Sequence, residues 1–408
     1  MTLVLIVFAF VYLGMLLGEI PGLALDRSGI ALLGAIALLL GAVVSPAEAW
    51  EAIDIPTTGL LFGLMVVSAQ FRLAGFYNHF TWRIASIPVG PGALLGILVA
   101  AAGLLSALLA NDIVCLAMAP VLVDACPRRG LDPVPYLLAL ACAANVGSAA
   151  TLIGNPQNML IGQTLQLSFS GYLLDAGVPA ALGLAAVWWI IRHRVGGRWY
   201  RPPIEVVGVE MPAFNRWQTA KGMAVLGLLV LAFLFAPWPR EVLALSAAGL
   251  LMTSRRMASY DMLGLVDWHL LVLFGGLFIV NHAFAEAGLL AQAMSGARAA
   301  GIDPADPIWL FGGNVVLSNL VSNVPAVMLL LPAATHPIAG PLLALASTLA
   351  GNLIIVGSIA NIIVVDQAAR MGVRIGWRDH ARIGVPVTLA TLAIAAFWLW
   401  LQGTSLAG

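Results

Sequence analysis

Asn145-Val146-Gly147-Ser148-Ala149-Ala150-Thr151-Leu152-Ile153-Gly154-Asn155-Pro156-Gln157-Asn158 is the stretch that decides the fold. It sits inside an apolar run, 135–166, yet it breaks the rules of a helix. Glycine permits unwinding, Pro156 removes a backbone donor, and Asn and Ser supply donors and acceptors of their own. Irregular polar backbone at membrane depth is tolerated only where it is buried in protein or lines a watery cavity. The segment therefore reads as a helix broken inside a bilayer. Gly351-Asn352 leading to Gly357-Ser358-Ile359-Ala360-Asn361 has the same character near the other end of the chain.

The composition around these stretches excludes a soluble protein. Of 408 residues, 61% are apolar and 9% charged, against about 25% charged in soluble domains. Basic and acidic residues balance at 19 each, which leaves no net field to attract nucleic acid. A helical span needs roughly 20 apolar residues, and apolar stretches fall near 1–18, 29–44, 56–75, 92–126, 135–166, 172–192, 220–236, 240–252, 268–288, 306–335, 341–367 and 383–402. The first has no basic flank or small-residue cleavage site and reads as a retained helix. The stretches 92–126 and 306–335 are too long for one span. Each is interrupted by a polar tip, Ala110-Asn111-Asp112 or Ser322-Asn323, and each reads as a re-entrant hairpin or as two spans.

Taking both as hairpins gives about ten transmembrane helices. Arginine then sets the orientation, because cytoplasmic loops collect Lys and Arg. One side holds 17 of the 19 basic residues, including Arg27, Arg72, Arg128, Arg192, Arg201, Arg255 and Arg370, and the other only Arg240 and Arg298. The Arg-rich side is predicted to be the cytoplasmic face of a prokaryotic inner membrane, with both termini extracytoplasmic. Counting each hairpin as two spans leaves the same split, so charge does not decide re-entrance.

Landmarks recur in order along the chain. Leu61-Phe62-Gly63 reappears as Leu273-Phe274-Gly275, and Asn111 with Pro120 reappears, at the same offset, as Asn323 with Pro332. Leu138-Ala139-Leu140-Ala141 returns as Leu343-Ala344-Leu345-Ala346, and Gly154-Asn155-Pro156-Gln157-Asn158 as Gly357-Ser358-Ile359-Ala360-Asn361. Five spans and one hairpin per half force the second copy to enter the membrane upside down, the inverted-topology repeat of secondary transporters. The expected organisation is a first repeat over 1–191, a cytoplasmic Arg-rich linker over 192–219 and a second repeat over 220–408. The fold class is an all-α polytopic membrane protein with its broken helices at the midplane.

Broken helices expose free N–H groups at one half-helix and free carbonyls at the other, suited to an anionic or hydroxylated solute and to a coupling cation. For one residue alone, close packing or interhelical hydrogen bonding explains a Gly or Asn as well; the duplication of the whole constellation is what points to a site. Asp112, a carboxylate beside a hairpin tip, is costly in a membrane unless paired, hydrated or protonated, and is read as the proton or Na+ site. Its bland alternative is an N-cap of the second hairpin helix. Its counterpart is Val324. Asp366, Glu286 and His282 read as interfacial. Cys115, Cys126 and Cys142 read as small apolar packing rather than thiolate ligands. No G-x-x-x-x-G-K-[ST], H-E-x-x-H or G-x-S-x-G occurs, so neither an ATP-driven pump nor an intramembrane hydrolase is indicated. No metal or organic cofactor is expected.

These residues resemble the ion transporter superfamily: Ala110-Asn111-Asp112 with Pro120, the run 145–158, Ser322-Asn323-Val324-Pro325, Gly351-Asn352 and Gly357-Ser358. That superfamily includes arsenical-pump membrane proteins, citrate and divalent-anion symporters, P-protein-like permeases and sodium/proton antiporters. The resemblance implies a scaffold domain, a transport domain carrying hairpins and broken helices, a homodimer and elevator-type alternating access. Carried over, Asn111, Asn145, Gly147, Ser148, Thr151, Asn158, Asn323, Asn352, Gly357 and Ser358 line the substrate site. Asp112, Asn111, Asn155, Ser322 and Asn361 serve the coupling ion.

The Ser-Asn-Thr tips of the divalent-anion symporters are replaced here by Ala-Asn-Asp and Ser-Asn-Val. The Asn-Asp tip is similar to the arsenical-pump group, whose substrate, arsenious acid, is neutral at pH 7; Gly154-Asn155-Pro156 is closer to the P-protein-like permeases. The leading expectation is a H+- or Na+-coupled arsenite efflux permease, with a soluble ATPase as a further partner that some arsenical pumps permit. A Na+-coupled citrate or succinate symporter, a Na+/H+ antiporter and a channel are the competing readings.

Overall fold

The computed structural model describes residues 1–18, 24–200 and 213–406; part of the expected linker, 201–212 with Arg201, lies outside the described residues. Every regular element among the described residues is helical. The first half of the chain runs through α1 (Thr2–Leu17), α2 (Arg27–Leu40), α3 (Pro46–Ala52), α4 (Ile55–Leu73), α5 (Phe76–Ala85), α6 (Pro91–Leu108), α7 (Asn111–Arg128), α8 (Pro133–Ser148), α9 (Pro156–Thr164) and α10 (Phe169–Val195). The second runs through α11 (Arg216–Phe235), α12 (Arg240–Met252), α13 (Ser259–Leu263), α14 (Trp268–Glu286), α15 (Leu289–Ala299), α16 (Pro307–Val321), α17 (Asn323–Leu330), α18 (Ala339–Ala350), α19 (Ile359–Arg370) and α20 (Trp377–Leu406).

Local chemistry places the same signals in both halves. The Asp54 side chain caps α4 by accepting from the Thr57 N–H, and Asp267 caps α14 by accepting from the Leu270 N–H. Gly75 and Gly288, at φ 67° and 72°, make the left-handed turns into α5 and α15, a conformation that a Cβ would strain. Helix α4 packs on α12 while α14 packs on α2, so each half reaches across to the other. At both crossings a glycine lets the backbones meet. A Cβ on Gly63 would lie 2.6 Å from the Ala244 carbonyl carbon, and one on Gly276 would lie 2.6 Å from that of Ala31. One constant offset relates Asp54 to Asp267, Gly63 to Gly276 and Gly75 to Gly288. The sequence match that set Gly63 against Gly275 is corrected by one position, because the close approach uses the second glycine of Gly275-Gly276. Gly63→Ala or Gly276→Ala should cost about 1–3 kcal/mol by overpacking. Gly275→Ala, where nothing lies within 4 Å of the new carbon, should be neutral in the same thermal-melt assay in detergent.

Burial separates an inner layer from an outer one. All of α18 and all of α8 except Val134 are buried, as expected of helices that are apolar all round. Helices α1, α10, α11 and α20 turn Leu5, Leu13, Leu182, Leu228, Phe235, Phe397 and Trp400 outward. Such apolar faces match lipid. Among the described residues, five helices are long and apolar enough to cross a membrane: α6, α10, α11, α14 and α20. The pair α3 and α4, bent by 59°, makes a sixth. The other apolar helices are shorter, 10–17 residues, including those interrupted at the broken stretches. The chain is a polytopic, multi-pass membrane protein. Cys115, Cys126 and Cys142 are buried free thiols.

Candidate functional site

Both interrupted stretches become helical hairpins, with α6 returning as α7 and α16 as α17. The turn of the first is Leu109-Ala110. The turn of the second is Ser322 alone, at φ 78° and ψ 160°. That backbone region is essentially reserved for glycine and costs a serine on the order of 1–3 kcal/mol, so the surrounding packing must hold the tip in place. By length α6 is itself sufficient for a span, unlike the short α17.

The broken helices meet at the centre. Asn145, near the end of α8, uses every hydrogen-bonding group of its amide. Its Nδ2 donates to Asn352 Oδ1 at 2.8 Å and to Asn361 Oδ1 at 3.2 Å. Its Oδ1 accepts from Ser358 Oγ at 2.8 Å and from Asn111 Nδ2 at 3.4 Å. One side chain thus ties the first hairpin to both ends of the second broken stretch. Two donors and two acceptors are all that an amide offers.

Most of this network is made twice. Asn158 Nδ2 donates to the carbonyls of Ser148 and Thr151 at 3.3 and 3.0 Å, and Asn361 Nδ2 to those of Gly351 and Ile354 at 2.8 and 3.2 Å. Each amide satisfies carbonyls that the broken helix leaves free. Across the halves, Ser358 Oγ donates to Asn145 Oδ1, and Asn155 Nδ2 to Thr348 Oγ1 at 3.2 Å. Likewise Asn145 Nδ2 reaches Asn361 Oδ1, and Thr348 Oγ1 reaches Asn158 Oδ1 at 3.4 Å. A single offset relates Ser148 to Gly351, Thr151 to Ile354, Asn155 to Ser358 and Asn158 to Asn361. By that offset Thr348 is the counterpart of Asn145, which corrects the sequence register through Leu343-Ala344 by two positions.

The glycines shape the crossing and offer no polar side chain. A Cβ on Gly154 would lie 2.2 Å from the Ser148 carbonyl oxygen, and one on Gly357 3.0 Å from that of Gly351. Gly147 lets α8 lie against α6, since its Cβ would fall 2.2 Å from the Gly103 oxygen. Ser148 Oγ donates to the Asn145 carbonyl and accepts from Asn155 Nδ2. Thr151 Oγ1 donates to the Ala107 carbonyl, anchoring the break to the first hairpin.

Of the residues singled out from the sequence, Asn111, Asn145, Ser148, Thr151, Asn155, Asn158, Asn352, Ser358 and Asn361 are brought together and buried. Asp112, Ser322 and Asn323 make no side-chain bond to that network. Asp112 lies in the first turn of α7, whose N-cap is Ala110 with no side-chain cap, so the capping alternative does not hold. Its half-buried carboxylate has no hydrogen bond or ion pair among the described residues. The sequence reading missed Thr348, Gln157, Tyr172, His380 and Asn319. Gln157 Nε2 donates to Thr348 Oγ1, and Tyr172 OH accepts from Asn158 Nδ2. His380 Nε2 lies 3.1 Å from the Asn352 carbonyl oxygen.

Around the second hairpin and the second broken stretch, Asn352 Nδ2, Asn319 Oδ1 and Asn323 Oδ1 are buried with no partner among the described residues. They leave one donor and two acceptors on the second half unsatisfied. The network itself is made of amides and hydroxyls.

Comparison with known proteins agrees with a transporter. An uncharacterized transporter of Mycobacterium tuberculosis (strain CDC 1551 / Oshkosh) is 29% identical over 86% of this chain and 87% of its own. The silicon efflux transporter LSI3 of Oryza sativa subsp. japonica is 29% identical over 92% of this chain and 93% of its own. The putative transporter arsB of Dictyostelium discoideum is 23% identical over 91% and 87%. The crystal structure of the Alcanivorax borkumensis YdaH transporter shares the fold at a TM-score of 0.63, covering 99% of this chain and 97% of that one at 16% identity. A model of the citrate transporter family (CitMHS) matches residues 3–350, and the chain belongs to that family.

Proposed function

We propose that this chain is a H+- or Na+-coupled secondary transporter that exports a small neutral oxyacid, arsenious acid first. The observation that carries the reading is the character of the central network, whose side-chain-to-side-chain bonds are made by Asn, Gln, Ser, Thr and Tyr, with His380 on the Asn352 carbonyl and no Lys or Arg among the described residues. A di- or tricarboxylate would enter with charges left uncompensated, which low-dielectric surroundings penalise by several kcal/mol. A neutral hydroxylated solute meets amides and hydroxyls at no such cost. The description of a rice relative as a silicon efflux transporter, and the arsB name of another, fit this chemistry, because silicic and arsenious acids are both weak, hydroxyl-bearing acids.

In the same reading the halves are inverted repeats, the hairpins are re-entrant, and α6 to α9 with α16 to α19 move as the transport unit of an elevator. The duplicated bonds of the two broken stretches and the reciprocal packing of α4 on α12 and α14 on α2 support this. The 17 to 2 split of basic residues supports a cytoplasmic Arg-rich face in an inner membrane. Na+-coupled carboxylate uptake is the second reading, favoured by the family's description as citrate transporters.

Everted vesicles from cells overexpressing the chain separate the two. Accumulation of labelled arsenite that an uncoupler or loss of the Na+ gradient abolishes is the expected result. Na+-dependent citrate or succinate flux with no arsenite signal would move the protein to the second reading.

A further inference from the structure

The contact between α12 and the end of α9 has a counterpart that is left unmade. Arg240 opens α12, and its Nη2 donates to the Gly162 carbonyl at 2.7 Å, in the last turn of α9. The neighbouring residues add a second tie, Gln163 Nε2 to Glu241 Oε2 at 3.0 Å. Helix α12 packs against α4 and α11 on the outer layer, whereas α9 starts inside the central network. The two ties therefore join the outer layer to the helix that carries the site.

The equivalence that pairs Gly63 with Gly276 also pairs Arg27, the first residue of α2, with Arg240. The equivalence of the broken helices, Asn158 with Asn361, pairs Gly162 with Val365 and Gln163 with Asp366, both on α19. No bond links Arg27 to either among the described residues. Its Nε is buried without a partner, and Asp366 turns instead to Arg370 on its own helix at 2.8 Å. Beside Arg27 lies a cavity of about 590 Å³ that reaches the start of α19, walled by Arg27, Asp267, Val356, Ile359 and Ile362. Asp26 and His269 also line it, but neither reaches α19 by a hydrogen bond or ion pair among the described residues.

We infer that Arg240 and Arg27 are a reciprocal pair of positioning residues, Arg240 holding the last turn of α9 and Arg27 the middle of α19, each in one of the two states of the transport cycle. This rests on the elevator reading above. In the state described, the Arg240 tie to α9 is closed and the Arg27 side is open. Helices α9 and α19 are linked through the central network, so a displacement that brings the Val365 carbonyl to Arg27 draws Gly162 away from Arg240. Only one guanidinium finds its carbonyl at a time. A ligand-free equilibrium between two such states is set by the difference between the two ties.

Val356→Cys reports on the open side, because Val356 is 41% exposed and lines that cavity. In purified protein, reaction of this cysteine with a bulky maleimide should slow several-fold when Arg240→Ala is added, as the population moves to the state in which the cavity is closed. Arg240→Lys, which keeps a donor, should restore most of the rate. Arg27→Ala introduced on top of Arg240→Ala should also restore it, since both ties are then gone; a purely structural role for Arg240 would leave the double variant slower still.

An unchanged rate in Arg240→Ala, or a double variant as slow as Arg240→Ala alone, would overturn the pairing. The assay needs no solute. Arsenite flux in vesicles together with an unaltered labelling rate would sink the arginine pair and leave the transporter reading in place.

Discussion

Replacing Asp112 with Asn is expected to leave a folded protein that carries its solute only down the solute's own gradient. The carboxylate sits in the first turn of α7, half-buried, next to Asn111, which bonds directly to Asn145. It has no protein partner to lose, so its removal strands nothing and should hardly change stability. What disappears is the one side chain at this tip able to take up a proton or neutralise Na+. One unit of pH gradient is worth about 1.4 kcal/mol, or a tenfold accumulation, for each coupled proton. Vesicles with the wild-type chain should approach such a ratio for the true substrate, while the Asn variant should stop at equal concentrations on the two sides. Full accumulation by Asp112→Asn, at wild-type expression, would remove Asp112 from the mechanism.

The second large effect is expected at Asn145. Interhelical hydrogen bonds inside membranes average about 0.6 kcal/mol each, so four lost bonds would suggest roughly 2 kcal/mol. That is the smaller part. Asn145→Leu also leaves Asn352 Oδ1, Asn361 Oδ1 and Ser358 Oγ without their closest acceptor or donor from α8, and each buried orphan costs about 1–3 kcal/mol. Stranding therefore dominates, and the variant should melt far below wild type and lose transport. Thr348→Val, at the equivalent position, leaves the donors of Asn155 and Gln157 without Thr348 Oγ1. Asn155 keeps its bond to Ser148 Oγ, so the loss should be milder. Thermal melts of the two variants in one detergent give the comparison. Equal melting of Asn145→Leu and wild type would mean that the network does not hold the halves together.

Much of this site is legible in the sequence because its signal is a local contradiction: Gly154-Asn155-Pro156 and Gly357-Ser358 are out of place in apolar helices, and sequence alone exposes that. The duplication was legible for the same reason. The register was not. Leu-Phe-Gly and Leu-Ala-Leu-Ala match by letters, yet the structure pairs Gly63 with Gly276 and Asn145 with Thr348. Backbone approach and hydrogen bonding, rather than similar letters, fix which residues are equivalent. Thr348 was invisible for a related reason, since one threonine in the apolar α18 breaks no helix rule. His380 and Asn319 act through contacts with the Asn352 and Ala350 carbonyls, and nothing in their neighbours announces a partner. The two arginines at the starts of α2 and α12 gained meaning only from the bond that one makes and the other lacks.

The way Asn145 is satisfied also sets a timetable for biosynthesis. Its bonds to Ser358 and Asn361 span 213 and 216 residues, and at roughly 5–20 residues per second of synthesis the partners arrive on the order of 10–40 s after Asn145 itself. Through that interval the amide has only Asn111 from its own half to turn to. The first half must therefore wait in the membrane with polar groups open, shielded by water or by the insertion machinery. The final closure of the centre belongs to the last quarter of the chain.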